Sequence, residues 1–222
     1  MKISAVIVAG GKGKRMGAGI NKVFLPLNDK EIIVHTVEAF YKNANISEII
    51  VVTGKDDINT AKKLLDGYNV IVTEGGHERQ QSVKSGIDKA SGDIVLIHDG
   101  ARALISQKEI DNVISDCVKF GAAAVGVKVK DTLKAVDDGF ITGTVDRDAT
   151  YKIQTPQSFK TDVIKELHKK ADRDGFFATD DCMIAEHYGV RVKITEGSYD
   201  NLKLTTPEDI EIAENILRRR KL

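Results

Sequence analysis

Cysteine is nearly missing from this 222-residue chain: there are two, Cys117 and Cys182, far apart and each inside a helix-like segment. They form no Cys-x-x-Cys pair and no metal-ligand spacing, so two reduced, buried thiols in a cytoplasmic protein are expected. Net charge is missing as well. Lys plus Arg and Asp plus Glu each number 33. That balance argues against a general nucleic-acid binder, which needs a net basic face, and leaves room for a local basic pocket. No apolar run approaches the roughly 20 residues of a membrane span. The run that follows Met1-Lys2-Ile3-Ser4 and ends at Ala9 is too short for a signal-peptide core and is placed like a first buried strand. Internal repeats, low-complexity segments and a linker that would split the chain are also absent, so residues 1–222 are expected to form a single domain.

What is present is a large apolar fraction, 41%, enough for a sizeable core and too much for a disordered chain. Short runs rich in Val and Ile fall at Ala5–Ala9, Ile49–Thr53, Val70–Thr73, Ile94–His98, Ala122–Val127 and Val190–Thr195. Most are continuously apolar, as strands covered on both faces are. Helix-like stretches lie between them, near Ile32–Tyr41, Asn59–Leu65, Arg79–Ala90, Lys108–Phe120 and Asp162–Ala171, and Pro207 opens a last helix. The alternation predicts an α/β fold, a doubly wound and mostly parallel sheet. The stretch from Lys130 to Tyr151 breaks it. Two short β-like halves flank Asp138-Gly139, a strong hairpin signal, yet they are too polar for a core hairpin. They predict an arm that projects from the sheet and packs on something else.

The first strand runs into G-G-K-G-K-R-M-G-A-G, residues 10–19, followed by Ile20-Asn21-Lys22. Glycine-rich loops in this position let backbone N–H groups point at phosphate oxygens. Met16 stands where the dinucleotide fingerprint needs a glycine, and Lys14 is followed by Arg15 rather than the Ser or Thr of a Walker loop. What remains is a loop with four cations, Lys12, Lys14, Arg15 and Lys22, which suits a triphosphate better than a pyrophosphate bridge. An ordinary solvated loop can carry the same charges; its place directly after the first strand favours phosphate.

Further motifs follow in order: G-G-H-E-R-Q-Q-S-V at 75–83, H-D-G-A-R at 98–102, K-D-T at 130–132, T-V-D-R at 144–147, Q-T-P-Q-S-F at 154–159, T-D-D at 179–181 and G-S-Y-D-N-L-K-L-T at 197–205. With the glycine loop, their order and spacing resemble the cytidylyltransferases that make CDP-methylerythritol in isoprenoid synthesis, over nearly the whole length. The sister family that makes CDP-ribitol shares the Q-T-P-Q-S-F and N-x-K-x-T parts, whereas T-V-D-R and T-D-D favour the methylerythritol family. Ala103 departs from the pattern, standing where that family usually has Pro, which is expected to loosen the loop behind Asp99 without abolishing binding.

The resemblance implies a Rossmann-like nucleotidyltransferase fold and a role for each motif. Ala9, Gly10, Gly11 and Gly13 approach the nucleotide, and Gly76, Ser82, Arg79 and Gly100 complete its pocket, with cytosine read by Gly76, Ser82 and the nearby backbone. Read on residues alone, Ser82 is a polar residue in a first helical turn. Asp99, at the end of an apolar strand, is placed where open sheets bind ligands and suits Mg²⁺; Asp99-Gly100 is equally a plain turn, and the family match tips the reading towards metal. Arg15, Lys22 and Lys203 are the implied catalytic cations, and Thr132, Arg147, Thr155 and Arg102 the implied acceptor site. The implied reaction joins CMP from CTP to a small sugar-alcohol phosphate. Ribitol 5-phosphate or another polyol phosphate as acceptor, and a regulatory module that binds CTP without turnover, are the competing readings. A homodimer through the 130–151 arm is also implied, with no nucleic acid and no membrane involved.

Overall fold

The computed structural model of the chain describes residues 1–11 and 21–220. In chain order its strands are β1 (Ile3–Val8), β2 (Pro26–Leu27), β3 (Lys30–Glu31), β4 (Glu48–Thr53), β5 (Ile71–Glu74), β6 (Ile94–Asp99), β7 (Ala122–Lys128), β8 (Lys134–Asp137), β9 (Phe140–Thr144), β10 (Tyr151–Lys160) and β11 (Lys193–Glu196). The helices are α1 (Ile32–Tyr41), α2 (Ile58–Leu64), α3 (Arg79–Lys89), α4 (Gln107–Phe120), α5 (Thr161–Asp174), α6 (Asp181–His187) and α7 (Pro207–Arg220). Seven strands form one sheet in the order β11-β7-β10-β6-β1-β4-β5. All its pairings are parallel except those of β10, which runs antiparallel to both β6 and β7.

The continuously apolar strands divide their side chains between two cores because successive residues point to opposite faces. Ile7, Val51, Leu96 and Ala123 meet Val37 and Phe40 of α1 and Ile110 and Val113 of α4. Val6, Ile50, Val52 and Ile97 meet Val83 and Ile87 of α3, Ile164 and Leu167 of α5 and Ile184 of α6. Each fully buried Val, Leu, Ile or Phe side chain among these stabilises the fold by about 1.5–3 kcal/mol relative to exposure. A smaller cluster seats α7 against Leu27, Ile32, Leu104 and Leu204, and Ala103 is buried in it. The doubly wound, mostly parallel sheet expected from the alternation is therefore present.

Within the seven-stranded sheet, the strand that the alternation did not predict is β10. Proline removes a ladder donor and normally argues against a central strand. The ladder to β7 shifts register between Ile153 and Gln157, around Pro156, and so accommodates it. This irregularity turns the buried polar groups of Gln154 and Thr155 towards neighbouring loops instead of the ladder: Gln154 Nε2 donates to the Ser198 carbonyl at 2.9 Å.

The segment from Lys130 to Tyr151 does contain the expected hairpin. Asp137 pairs with Phe140, and the turn residues Asp138 and Gly139 both have positive φ, 45° and 81°, the geometry of a tight two-residue turn. All of β8 and nearly all of β9 is exposed, including the apolar side chains of Val136, Phe140 and Ile141 at 60%, 74% and 67%.

Candidate active site

The C-terminal ends of β1, β4, β5 and β6 converge and are stitched together by backbone hydrogen bonds. Ala9 N donates to the Val52 carbonyl at 2.7 Å, Gly75 N to the Thr53 carbonyl at 2.8 Å and Gly100 N to the Val8 carbonyl at 2.8 Å. Asn21 secures the far end of the glycine loop, its amide donating to the Ala9 carbonyl at 2.6 Å and to Asp57 at 2.9 Å. Arg15 and Gly13, with the rest of residues 12–20, lie outside the described residues. Gly11 is exposed, and Lys22 begins a short helical turn beside Asn21.

Close approach explains the glycine pair after β5. A Cβ on Gly75 would sit 2.6 Å from Ser82 Oγ, and one on Gly76 would overlap the Gln81 side chain. Gln81 and Glu78 form the capping box that opens α3, and Ser82 Oγ lies 3.3 Å from the Gly76 carbonyl and 3.1 Å from that of Glu78. A Cβ built on Gly10 would lie 3.8 Å from the same Ser82 hydroxyl. Gly10, Gly75, Gly76 and Ser82 thus share one corner of the cleft.

Asp99 is the centre of charge. It ends β6 with only 11% of its side chain exposed, and three cations converge on it. Lys203 Nζ lies 2.8 Å from Oδ2, Arg79 Nε 3.6 Å from Oδ1 and Arg102 Nε 3.7 Å from Oδ2. Burial pushes this carboxyl up, but the charges of Lys203, Arg79 and Arg102 outweigh burial and hold it well below the usual carboxylate range. It is an anion throughout the neutral range, unfit to trade protons and fit to hold a cation. Burial tends to lower the Arg79 pKa too, yet Asp181 and Asp99 raise it above the ordinary arginine value.

A buried relay fixes the backbone of Asp99. Thr155 Oγ1 accepts from Asp99 N–H at 3.0 Å and lies 3.1 Å from His98 Nδ1, while His98 Nε2 lies 3.1 Å from the Arg102 carbonyl. A carbonyl only accepts, so Nε2 carries the ring proton and Nδ1 accepts from the threonine hydroxyl. Burial lowers the His98 pKa to about 4, which keeps the ring neutral. Arg102 Nη1 donates to the Asn201 carbonyl at 2.7 Å, and Asn201 Nδ2 donates back to the Thr155 carbonyl at 3.0 Å. These bonds seat the loop that delivers Lys203, and Glu109 of α4 holds the same loop through Ser198 N at 2.9 Å.

The structure thus brings together Asp99, Arg79, Arg102, Lys203 and Thr155 from four separate motifs, with Gly100 beside Ala9. Thr132 and Arg147 are elsewhere, exposed at the two ends of the hairpin, and Arg147 Nη1 donates to the Lys130 carbonyl of its own arm at 3.3 Å. Sequence reasoning did not find His98, Asn21, Asn201, Gln157 or the part played by Asp181. His98 left a trace, an imidazole at the end of an otherwise apolar strand; the others make long-range bonds that no local pattern announces.

Among the described residues there is no group of three or more His, Cys, Asp or Glu side chains that could hold a metal by itself. A lone ionised carboxylate at a strand tip fits Mg²⁺, which is commonly held by one or two carboxylates together with substrate phosphates. No helix among the described residues is long and apolar enough to cross a membrane. Cys117 and Cys182 are both free and buried.

Comparison with known proteins agrees along the whole length. The family profile described as IspD, 2-C-methyl-D-erythritol 4-phosphate cytidylyltransferase, matches residues 3–219. A protein of that name from Clostridium novyi is 46% identical over 228 residues, covering 99% of this chain and 98% of the relative. One from Clostridioides difficile is 42% identical, covering 98% and 94%. The crystal structure of 4-diphosphocytidyl-2C-methyl-D-erythritol synthase from Anaerococcus prevotii superposes with a TM-score of 0.88 at 32% identity, covering 98% of this chain and 96% of that one.

Proposed function

Because the chain belongs to the 2-C-methyl-D-erythritol 4-phosphate cytidylyltransferase family, we propose a division of labour among its residues for that family's reaction. The enzyme transfers CMP from CTP to 2-C-methyl-D-erythritol 4-phosphate, giving CDP-methylerythritol and pyrophosphate for isoprenoid precursor synthesis. Ribitol 5-phosphate as acceptor and a CTP-binding module without turnover are not favoured beside a family match over residues 3–219.

A phosphate-monoester oxygen of the acceptor attacks the α-phosphorus of CTP, and the bond from that phosphorus to the β-phosphate oxygen breaks. The nucleophile needs no general base, since its second pKa is near 6 and it is mostly dianionic at neutral pH. The barrier is repulsion between anions and charge growing on the leaving pyrophosphate, and positioned cations lower it. Arg15 and Lys22 serve the transition state and the leaving group, and Lys203 moves from its ion pair with Asp99 towards the phosphates. Asp99 would hold Mg²⁺, which bound there would neutralise phosphate charge and polarise the α-phosphorus. The backbone of Ala9, Gly10, Gly11 and Gly13 cradles the triphosphate. Gly76, Ser82 and Gly100 bound the nucleotide pocket, and Arg79 braces it. Thr155 and Arg102 act on the acceptor side chiefly by fixing Asp99 and the Lys203 loop. Thr132 and Arg147 hold the acceptor phosphate in the site of a second chain, in a two-fold homodimer built through the arm. The exposed Val136, Phe140 and Ile141 support that assembly. Two buried free thiols suit a reducing compartment, and the cytoplasm is the proposed location.

The observation that carries this reading is the convergence of Arg79, Arg102 and Lys203 on the buried carboxylate of Asp99 at the tip of β6. The direct test is pyrophosphate release on mixing the protein with CTP and Mg²⁺ and, separately, methylerythritol 4-phosphate, ribitol 5-phosphate or no acceptor. Release with methylerythritol 4-phosphate alone is expected; release only with ribitol 5-phosphate, or with neither, would overturn the assignment.

A further inference from the structure

Behind the site, two buried groups that the reaction does not use directly, His168 and Asp181, lead to the half-buried Arg79. His168 lies on the inner face of α5, fully buried, and its Nε2 is 3.1 Å from Oδ1 of Asp181. Asp181, the first residue of α6, is equally buried, and its Oδ2 accepts from Arg79 Nη1 at 2.8 Å. The Nε side of the same guanidinium faces Asp99 Oδ1 at 3.6 Å. His168 Nδ1 is buried with no hydrogen-bond partner, so the imidazole's one polar bond is to Asp181.

Burying an imidazole for one bond costs free energy that Leu or Met at the same place would not incur. Ile164, Leu167 and Ala171 already supply the apolar face of α5, so packing does not call for a histidine. Its effect is on geometry. A free carboxylate facing arginine frequently takes it fork to fork, with two parallel N–H···O bonds. With Oδ1 engaged by His168, Asp181 offers Arg79 one oxygen, and the guanidinium keeps its Nε edge for Asp99. The backbone of α6 is held independently, Gln157 Oε1 accepting from Asp181 N at 3.0 Å, so carboxylate rotation is the freedom that His168 removes.

We propose that His168 is a positioning residue for nucleotidyl transfer: it holds the Asp181 carboxylate so that Arg79 stays on Asp99 rather than withdrawing into a paired fork with Asp181. This rests on the reading that Arg79 and Asp99 belong to the nucleotide site, and the test separates the two. His168→Leu removes the N–H donor, His168→Gln keeps one, and each is made with and without Arg79→Gln. His168→Met replaces Leu should that variant fail to fold. Pyrophosphate release gives kcat/KM for CTP, and ¹⁵N NMR of the substrate-free protein follows the Arg79 Nε–H resonance.

The Leu variant is expected to lower kcat/KM by about tenfold, the scale on which outer-sphere partners of site ligands act, and to shift the Arg79 Nε–H signal. The Gln variant is expected to stay within about threefold of the unsubstituted enzyme. In the Arg79→Gln background the Leu substitution should cost less than about twofold, since the group it positions is gone. An equal cost in both backgrounds, or an unmoved Arg79 signal in His168→Leu, would overturn the proposal. An unsubstituted protein that releases no pyrophosphate sinks the functional reading instead, while the NMR comparison still decides whether His168 positions Arg79.

Discussion

Replacing Asp99 by Asn keeps the shape of the side chain and removes the anion on which three cations converge. The cost of that change can be worked out cation by cation. The Lys203 side chain is 40% exposed and can turn into water, so its loss of partner costs little. Arg79 retains Asp181 at 2.8 Å. Arg102 is the stranded one: its side chain is 12% exposed, Asp99 is its carboxylate partner, and the Asn201 carbonyl at 2.7 Å accepts without neutralising it. Breaking a buried pair from one side costs about 3–5 kcal/mol, and with one stranded cation instead of three the lower end applies, about 3 kcal/mol. For a urea slope of about 2 kcal/mol per molar, the midpoint falls by about 1.5 M. Activity falls as well, and if Asp99 holds Mg²⁺ it recovers only in part at high Mg²⁺. The assays are urea unfolding of the free protein and initial pyrophosphate-release rates across a Mg²⁺ series. A midpoint within 0.3 M of the unsubstituted protein would refute the charge analysis, by about the 0.6 kcal/mol that such a shift represents. An unchanged Mg²⁺ dependence would return Asp99 to the role of a turn residue.

Removing a transition-state cation by Arg15→Ala or Lys22→Ala should lower kcat by about two to three orders of magnitude, and near-normal turnover would remove that residue from the mechanism. Mixing an Arg15→Ala chain with an Arg147→Ala chain, each inactive alone, should restore activity towards half of normal per mixed dimer; no restoration despite subunit exchange seen by mass would place Arg147 in its own chain's site or in none. Replacing Phe140 and Ile141 together by Glu should yield monomers in sedimentation, whereas an unchanged dimer would exclude the arm as the interface. His98 titrates near 4 when folded against an ordinary 6.5, so the unfolded chain takes up the proton first. Its contribution to stability is complete above pH 6.5 and is lost as pH falls towards 4, about 3 kcal/mol in all. A His98→Gln protein whose unfolding free energy follows the same slope across that window as the parent would contradict this.

Much of the fold was legible because its strands are buried on both faces and read as unbroken apolar runs, and the Asp138-Gly139 turn announced its hairpin by residues that tolerate positive φ. The strand β10 was not legible. Gln154, Thr155, Pro156 and Gln157 look like a loop, and they are buried only because loops and strand ends from elsewhere satisfy their polar groups. Asp99 could be placed at a strand tip from sequence, and the glycine pair at 75–76 at a strand–helix joint. That Arg79 lies between Asp99 and an aspartate 102 positions away in sequence follows from how α3 and α6 meet, which the resemblance did not assign and periodicity cannot supply. Asp180 caps α6, accepting from Met183 N, which frees Asp181 to face inward.

The reversed strand in the middle of the sheet also sets an order of assembly. The strands β1, β4, β5 and β6 are complete once Asp99 has been synthesised, yet the edge of β6 stays bare until the chain has passed through β7 and the hairpin and returned as β10. Until then Asp99 N–H lacks the Thr155 hydroxyl, and Lys203 is made later still. A nascent or truncated chain ending before residue 150 therefore carries the glycine loop and the base-side corner but an open sheet edge, a ready template for mispairing. The charged centre closes last, so a chain interrupted in synthesis is left sticky before it is ever active.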